Sequence, residues 1–407
     1  MKYFNVILSF VINNIINLFV MLANIIVWRK KNIWIIGAWF GNKYADNSRY
    51  LYQYLFENKE KYNIRRVIWI TRSDEVYSKL KKNNYDVLKL HSFKSLYYHL
   101  KSGVHVLCNN AYSSAKKHDI NTFLSFGAKK IQLWHGAGIK ACGRLVNKKN
   151  TFLTRFYYNF LFRYGQPGMW GRCYQIAVSH ENARVIIDDF AIMKKRVIMA
   201  YYPRDCEFSP FLFDDEKEIV ELIKEKRKNN KIILYLPTFK NNTRDFIFPE
   251  KINGFEQFLL KNDYVWIQKP HSVDNYFVST NYEFENFIVL NSDFDINVLL
   301  DYVDLVISDY SSVTTDAIAK NIKTLDYCPD YEYYMNEDRG FVSEYEKYHI
   351  GEKIIEPCKL FDAITERLNE DFVNTKSYEQ TKTFLLGDKK WTMEKVVIEI
   401  IAAINAK

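Results

Sequence analysis

The chain has 407 residues and is nearly half hydrophobic, enough for two sizeable cores. Its net charge of +9 suits an anionic membrane surface, an anionic substrate or nucleic acid, but no RNP-type, zinc-finger or helix-turn-helix signature supports nucleic acid. The cysteines (Cys108, Cys142, Cys173, Cys206, Cys328 and Cys358) show no C-x-x-C and no metal-ligand spacing, so free, mostly buried thiols in a reducing compartment are expected.

Residues 3 to 28 carry no charged side chain, a run long enough to span a bilayer, which needs about 20 apolar residues. Ser9, Asn13, Asn14, Asn17 and Asn24 fall on one side of a helical wheel. Ile7, Leu8, Val11, Ile12, Ile15, Leu18, Phe19, Leu22 and Ile26 cover the other, which favours a helix lying in the membrane interface over a span. Arg29, Lys30 and Lys31 follow at once and predict a cytoplasmic body in either case. The run is too long for a cleaved signal peptide.

From Ile33 the pattern is α/β. Strands are predicted at 33–37, 66–70, 86–90, 104–108, 130–134, 174–178 and 196–200, with helices at 47–57, 74–82, 92–101 and 180–189 between them. Residues 144–172 break the rhythm. Arg144, Lys148, Lys149, Arg155, Arg163 and Arg172 alternate there with aromatics, as either an anionic-membrane dock or a helix-rich insertion with an aromatic core. A second set of strands follows at 231–236, 264–268, 287–290, 304–307 and 323–327, with helices at 254–261, 295–302 and 313–320. The expected organisation is a membrane-associated helix over 1–31, a domain over 32–205, a second over 206–350, and a mostly helical segment over 351–407 that packs back on the first domain.

Polar groups gather at the carboxyl ends of strands, where open α/β sheets bind ligands. Trp134-His135-Gly136-Ala137-Gly138 places an acid/base candidate after a strand, or simply a histidine satisfied by backbone. Pro237-Thr238 and Lys269-Pro270-His271 end two strands of the second set. Ser311, Ser312 and Thr314 open a helix after Ser308-Asp309-Tyr310, as plain N-caps or as a phosphate seat.

Together these segments resemble the CDP-glycerol glycerophosphotransferase family of teichoic-acid and capsule assembly. Trp134-His135-Gly136 is similar to its W-H-G-T-P segment, and Tyr202-Pro203-Arg204-Asp205 to G-x-P-R-x-D. Tyr235 to Phe239 resembles Y-x-P-T-W/F, and Lys269-Pro270-His271 resembles R/K-x-H. Ser308 to Val313 with Asp316 resembles T/S-D-Y-S-S-x-x-x-D, and Arg339-Gly340-Phe341 resembles R-G-F/Y. Asp46-Asn47-Ser48 resembles D-N-S/P near the start.

The resemblance implies a GT-B-like fold of two facing Rossmann-like domains with a cleft. It implies transfer of a polyol phosphate from a CDP-alcohol, most often CDP-glycerol, to a lipid-linked or polymeric acceptor at the cytoplasmic face of the cell membrane, with release of CMP. It carries catalysis to His135 and His271. Donor binding falls on Trp134, Gly136, Ala137, Gly138, Arg204, Pro237, Thr238, Lys269, Pro270, Ser311, Ser312 and Asp316. No metal or cofactor enters this scheme. Ala137-Gly138 stands where the family has Thr-Pro, and Lys269 offers no bidentate grip on phosphate. A nucleotide-sugar glycosyltransferase and a catalytically inactive scaffold are the alternatives.

Overall fold

A computed structural model describes residues 2–109, 118–137, 156, 173–238, 246–269, 285–337, 347, 349–350, 353–388 and 391–406. They form two compact units. One holds the described residues up to Ala137, those from there to Phe211, and those after Asp388; the other runs from Leu212 to Asp388. Of the C-terminal segment, only its last helix, Met393–Asn405, therefore groups with the first unit.

The first unit is built on a parallel sheet of β1 (Lys30–Ile36), β2 (Arg66–Thr71), β3 (Val87–Lys89), β4 (Ser102–Leu107), β5 (Lys129–Gln132), β6 (Tyr174–Ala177) and β7 (Val197–Met199). Their order is β3-β2-β1-β4-β5-β6-β7. The second unit has β8 (Lys231–Tyr235), β9 (Tyr264–Gln268), β10 (Phe287–Val289), β11 (Leu305–Ser308), β12 (Lys323–Tyr327) and β13 (Lys353–Ile354). All pair in parallel, in the order β10-β9-β8-β11-β12-β13. Both orders reverse direction once, between β1 and β4 and between β8 and β11. Loops at such reversals splay apart and leave a crevice at the carboxyl ends of the strands.

The strands form because their sequences are apolar on both faces, as a helix-covered parallel sheet requires. In the second unit, Ile232, Leu234, Val265, Ile267 and Val306 fill one core, while their neighbours Ile233, Tyr235, Tyr264, Trp266 and Ile307 fill the other.

Each predicted strand is present; the short β13 is not foretold. The helix expected over 295–302 is instead two 3₁₀ turns, Ile296–Val298 and Leu300–Tyr302. The Asp295 carboxylate accepts from both the backbone and the side-chain amide of Asn297, at 3.2 and 2.8 Å, closing a local turn that competes with helix. An unforeseen helix covers Asp214–Arg227, with Asp214, Asp215 and Glu216 in its first turn and Lys224, Lys226 and Arg227 in its last, complementing the helix dipole.

The N-terminal helix spans Lys2–Ile26, and among the described residues no helix is long and apolar enough to cross a membrane. Part of its polar side faces protein: Asn13 is buried, and Asn24 donates to the Phe126 carbonyl at 3.5 Å, while Asn14 is exposed. Ile12, Ile15, Leu18, Phe19, Leu22, Ile25 and Ile26 are exposed. Just beyond it, the Arg29 guanidinium donates to the carbonyls of His99, Ser102, Leu124 and Phe126, locking the helix exit onto the first unit. Cys108, Cys173, Cys206 and Cys328 are buried free thiols, and Cys358 is exposed.

Candidate active site

The turn after β5 is held at three successive carbonyls. Asn47 Nδ2 donates to Trp134 O at 2.8 Å, an Arg204 Nη donates to His135 O at 3.2 Å, and the Tyr202 hydroxyl donates to Gly136 O at 3.0 Å. Asn47 Oδ1 accepts from the Arg204 backbone N–H at 3.2 Å, so one side chain ties two segments. Asp46 Oδ1 accepts from Arg204 in a buried ion pair, and Asp46 Oδ2 accepts from Trp39 Nε1 at 3.2 Å. Three sequence segments far apart in the chain thus converge on His135. Four non-glycine residues around it, Trp39, Phe40, Asp46 and Trp134, have positive φ of 45°, 58°, 67° and 64°. Such strain persists only where the surroundings over-determine it, and it concentrates at functional sites.

The loops after β1 and β4 are joined by Asp119. One of its carboxylate oxygens accepts from Phe40 N at 2.7 Å, the other from Cys108 N and Asn109 N at 2.7 and 2.6 Å. Burial pushes this carboxyl up to about 7, against the pull of those three N–H groups. Asn109 in turn reaches His135 Nδ1 through Nδ2 at 3.0 Å, and the Trp39 ring lies 5.6 Å from the imidazole. His135 is exposed, yet the surrounding protein leaves its charged form poorly hydrated. That lowers its pKa; the Asp46 carboxylate opposes the shift and the Arg204 guanidinium adds to it. The ring is therefore neutral near pH 7 and can exchange a proton or present an N–H.

In the second unit, the loops after β8 and β11 are bridged by one carboxylate. Asp309 accepts from the Thr238 backbone N–H at 3.0 Å, from the Thr238 hydroxyl, and from Tyr310 N at 2.6 Å. Ser308 Oγ donates to Leu236 O at 2.6 Å, tying the same two strand ends. The Tyr310 ring stacks on Tyr334 at 3.7 Å, and its hydroxyl donates to Asp330 at 2.8 Å. This fixes the backbone just before Ser311 and Ser312, both half-buried. Ser312 makes no capping bond to the helix Val313–Ala319, and Ser311 Oγ accepts from Val313 N only at 3.4 Å. The plain N-cap is a weak account of these hydroxyls. Pro237 is buried, Asp316 is buried in the first turn of that helix, and Lys269 is half-buried at the end of β9.

Arg204 lies with His135 in the first unit, where it pairs with Asp46 and holds the His135 turn. Ala137 is buried beside that turn. Gly138, Pro270, His271, most of the basic and aromatic stretch 144–172, and Arg339-Gly340-Phe341 lie outside the described residues. Asn109 and Asp119 belong to none of the recognised segments. Asp46, Asn47, Tyr202 and Asp309 sit inside them without an assigned role.

The family model described as CDP-Glycerol:Poly(glycerophosphate) glycerophosphotransferase matches residues 18–400. The chain is 28% identical over 402 residues to the teichoic acid poly(glycerol phosphate) polymerase of Bacillus spizizenii, covering 92% of this chain and 93% of that one. It is 25% identical over 353 residues to the teichoic acid glycerol-phosphate transferase of Staphylococcus aureus, covering 83% and 84%. The wall teichoic acid polymerase TagF, solved after a soak with CDPG, superposes with a TM-score of 0.68 at 20% identity over 99% of this chain and 98% of that one. At that identity the likeness is one of fold.

Proposed function

Because the chain belongs to the CDP-glycerol:poly(glycerophosphate) glycerophosphotransferase family, we propose that it moves glycerol phosphate from CDP-glycerol to a hydroxyl of a lipid-linked or polymeric acceptor, releasing CMP, in teichoic-acid or capsule-like polymer synthesis. The observation that carries this reading is the clasp on the His135 turn, in which Asn47, Tyr202 and Arg204 each hold one carbonyl. A histidine in an over-determined turn flanked by strained backbone, at the end of a strand, suits positioned chemistry on phosphate, where orientation and charge stabilisation do most of the work.

In this proposal the second unit binds CDP at its strand-order reversal. Thr238, Ser311 and Ser312 meet the pyrophosphate and Lys269 offsets its charge. Pro237 and Asp316 shape the same seat. His135 and His271 share the proton and charge work. Arg204 contributes by fixing His135.

The proposal extends to location, at the cytoplasmic face of the cell membrane. Its support is the exposed apolar side of the helix Lys2–Ile26 followed by Arg29, Lys30 and Lys31, a combination that suits residence in the interface of an anionic membrane.

The test is CMP release from CDP-glycerol, with CDP-ribitol in parallel and membranes as acceptor source. CMP from CDP-glycerol, lost in His135→Ala, is expected. Release of a nucleoside diphosphate from a nucleotide sugar instead would overturn the reaction class. For location, replacing Ile15, Phe19, Leu22 and Ile26 with serine while keeping Arg29 should shift the enzyme from the membrane to the soluble fraction. Full retention on membranes would rule out this helix as the anchor.

A further inference from the structure

The hydrogen bonds around His135 distinguish between its two possible catalytic roles. A histidine base must present a bare Nε2, so its Nδ1 must carry the proton and donate it. Among the described residues, the carbonyl available for that is Cys108 O, at 3.4 Å from Nδ1, beyond the usual range of an N–H···O bond. Asn109 Nδ2 stands closer, at 3.0 Å, and can only donate. The orientation of that amide is set at its other end, where the Cys108 thiol donates to Asn109 Oδ1 at 2.9 Å. Burial raises the pKa of this thiol well above its ordinary value, so it keeps the proton it donates. Asn109 is itself buried, and its backbone N–H is fixed on Asp119.

The geometry points to Asn109 as a positioning residue that fixes neutral His135 in the Nε2–H tautomer, so that His135 donates a hydrogen bond to a phosphate oxygen of the donor rather than accepting the acceptor's proton. This rests on the reading that His135 acts on the transferred group. In the step, the acceptor oxygen bonds to phosphorus and the phosphorus–oxygen bond to CMP breaks. The electron pair leaves on the CMP phosphate, where the Nε2–H meets it. The acceptor's proton goes to a second base, for which His271 is the sequence's candidate. Among the described residues, the charged groups facing the ring are Asp46 and Arg204, beside the Cys108 backbone carbonyl. The Asp46–Arg204 ion pair leaves no uncompensated charge from those two to drive protonation.

The direct test is 15N NMR of the full chain labelled at histidine, with the His135 signals identified by their loss in a His135 variant. A protonated Nε2 and a bare Nδ1 at neutral pH are expected; the reverse pattern overturns the inference. The kinetic test is Asn109→Asp, whose carboxylate would turn Nδ1 into a donor and strip Nε2 of its proton. If His135 donates, alkaline turnover should fall by about 10²–10³-fold, the usual loss for one such donor. Turnover should recover as the pH falls and the ring protonates. If His135 is the base, Asn109→Asp makes an Asp–His pair and should match or exceed the parent at alkaline pH, which would overturn the assignment. His135→Gln, which keeps an N–H near the Nε2 position, should retain more turnover than His135→Ala. Near-parental turnover in His135→Ala would remove the histidine from the chemistry altogether, a failure of the underlying reading that the NMR result separates from a failure of the tautomer assignment.

Discussion

Asp46 and Arg204 stand 158 residues apart in the chain and form a buried ion pair beside the His135 turn. Each partner also makes contacts that the other cannot replace. Asp46 accepts from Trp39 and from its neighbour's N–H, and Arg204 holds the His135 carbonyl. Removing one side of such a pair strands a charge away from water, which costs about 3–5 kcal/mol. Arg204→Gln should therefore lower the urea unfolding midpoint strongly and reduce CMP release. The double variant Asp46→Asn with Arg204→Gln should recover part of the stability but little of the turnover. Full recovery of turnover would show that the pair serves the fold alone.

The Thr238 hydroxyl and Asp309 give the corresponding test in the second unit. Thr238→Val keeps the shape of the side chain and both backbone N–H donors to Asp309, but removes the charge-assisted hydroxyl bond. The loss of such a bond is about 1.5–3 kcal/mol. If this crevice seats the pyrophosphate, CDP affinity measured by calorimetry should fall roughly tenfold or more. Ser311→Ala and Ser312→Ala should weaken CDP as well while leaving the unfolding midpoint nearly unchanged, because neither serine is a strong cap. Parental affinity in all three variants would move the donor seat elsewhere.

Much of this framework was legible because it is written in local chemistry. Apolar runs such as Ile33–Ile36 and Ile232–Leu236 can only be buried strands when helices flank them. The segments around Asp46, His135 and Arg204 stand out by composition, and the fold brings them together. Side-chain partners were less legible. Nothing in the segment around Arg204 announces its pairing with Asp46, since no sequence pattern measures that distance. Asn109 and Asp119 carry no motif, and their importance comes from where β4 ends. The helix Asp214–Arg227 has a readable signal in its acidic start and basic end.

Gly37 follows β1 at the first reversal of strand order. A Cβ there would strike the backbone carbonyl of Asp119 and the Ile120 side chain, and backbone cannot swing aside as a flexible side chain can. Gly37→Ala should destabilise the first unit by about 1–3 kcal/mol, the usual cost of overpacking. Any shift of Asp119 also loosens its grip on the N–H groups of Phe40, Cys108 and Asn109, so turnover should fall more than the unfolding midpoint alone explains. Parental stability and turnover together would show that the loops have slack at this point.

Acid should weaken the first unit through two buried histidines. His99 Nδ1 donates to Ser95 O at 2.7 Å while its Nε2 accepts from Asn121 N at 3.1 Å, so a second proton has no place on the ring. Its pKa is lowered from 6.5 to about 4, chiefly by burial. His105, whose ring nitrogens meet the hydroxyls of Ser102 and Ser125, is lowered as well, by burial and then by the Arg29 charge. In the unfolded chain both rings bind protons near pH 6.5, while the folded state resists protonation. Stability is then fully present above that pH and is lost as the pH falls toward 4. A single ring with the shift of His99 accounts for roughly 3 kcal/mol over that window. Urea unfolding at intervals between pH 7.5 and 4.5 should show this slope. His99→Asn should start from a lower stability at pH 7.5 and have a slope shallower by about one proton. An unchanged slope in that variant would mean that His99 takes up its proton inside the fold at little cost.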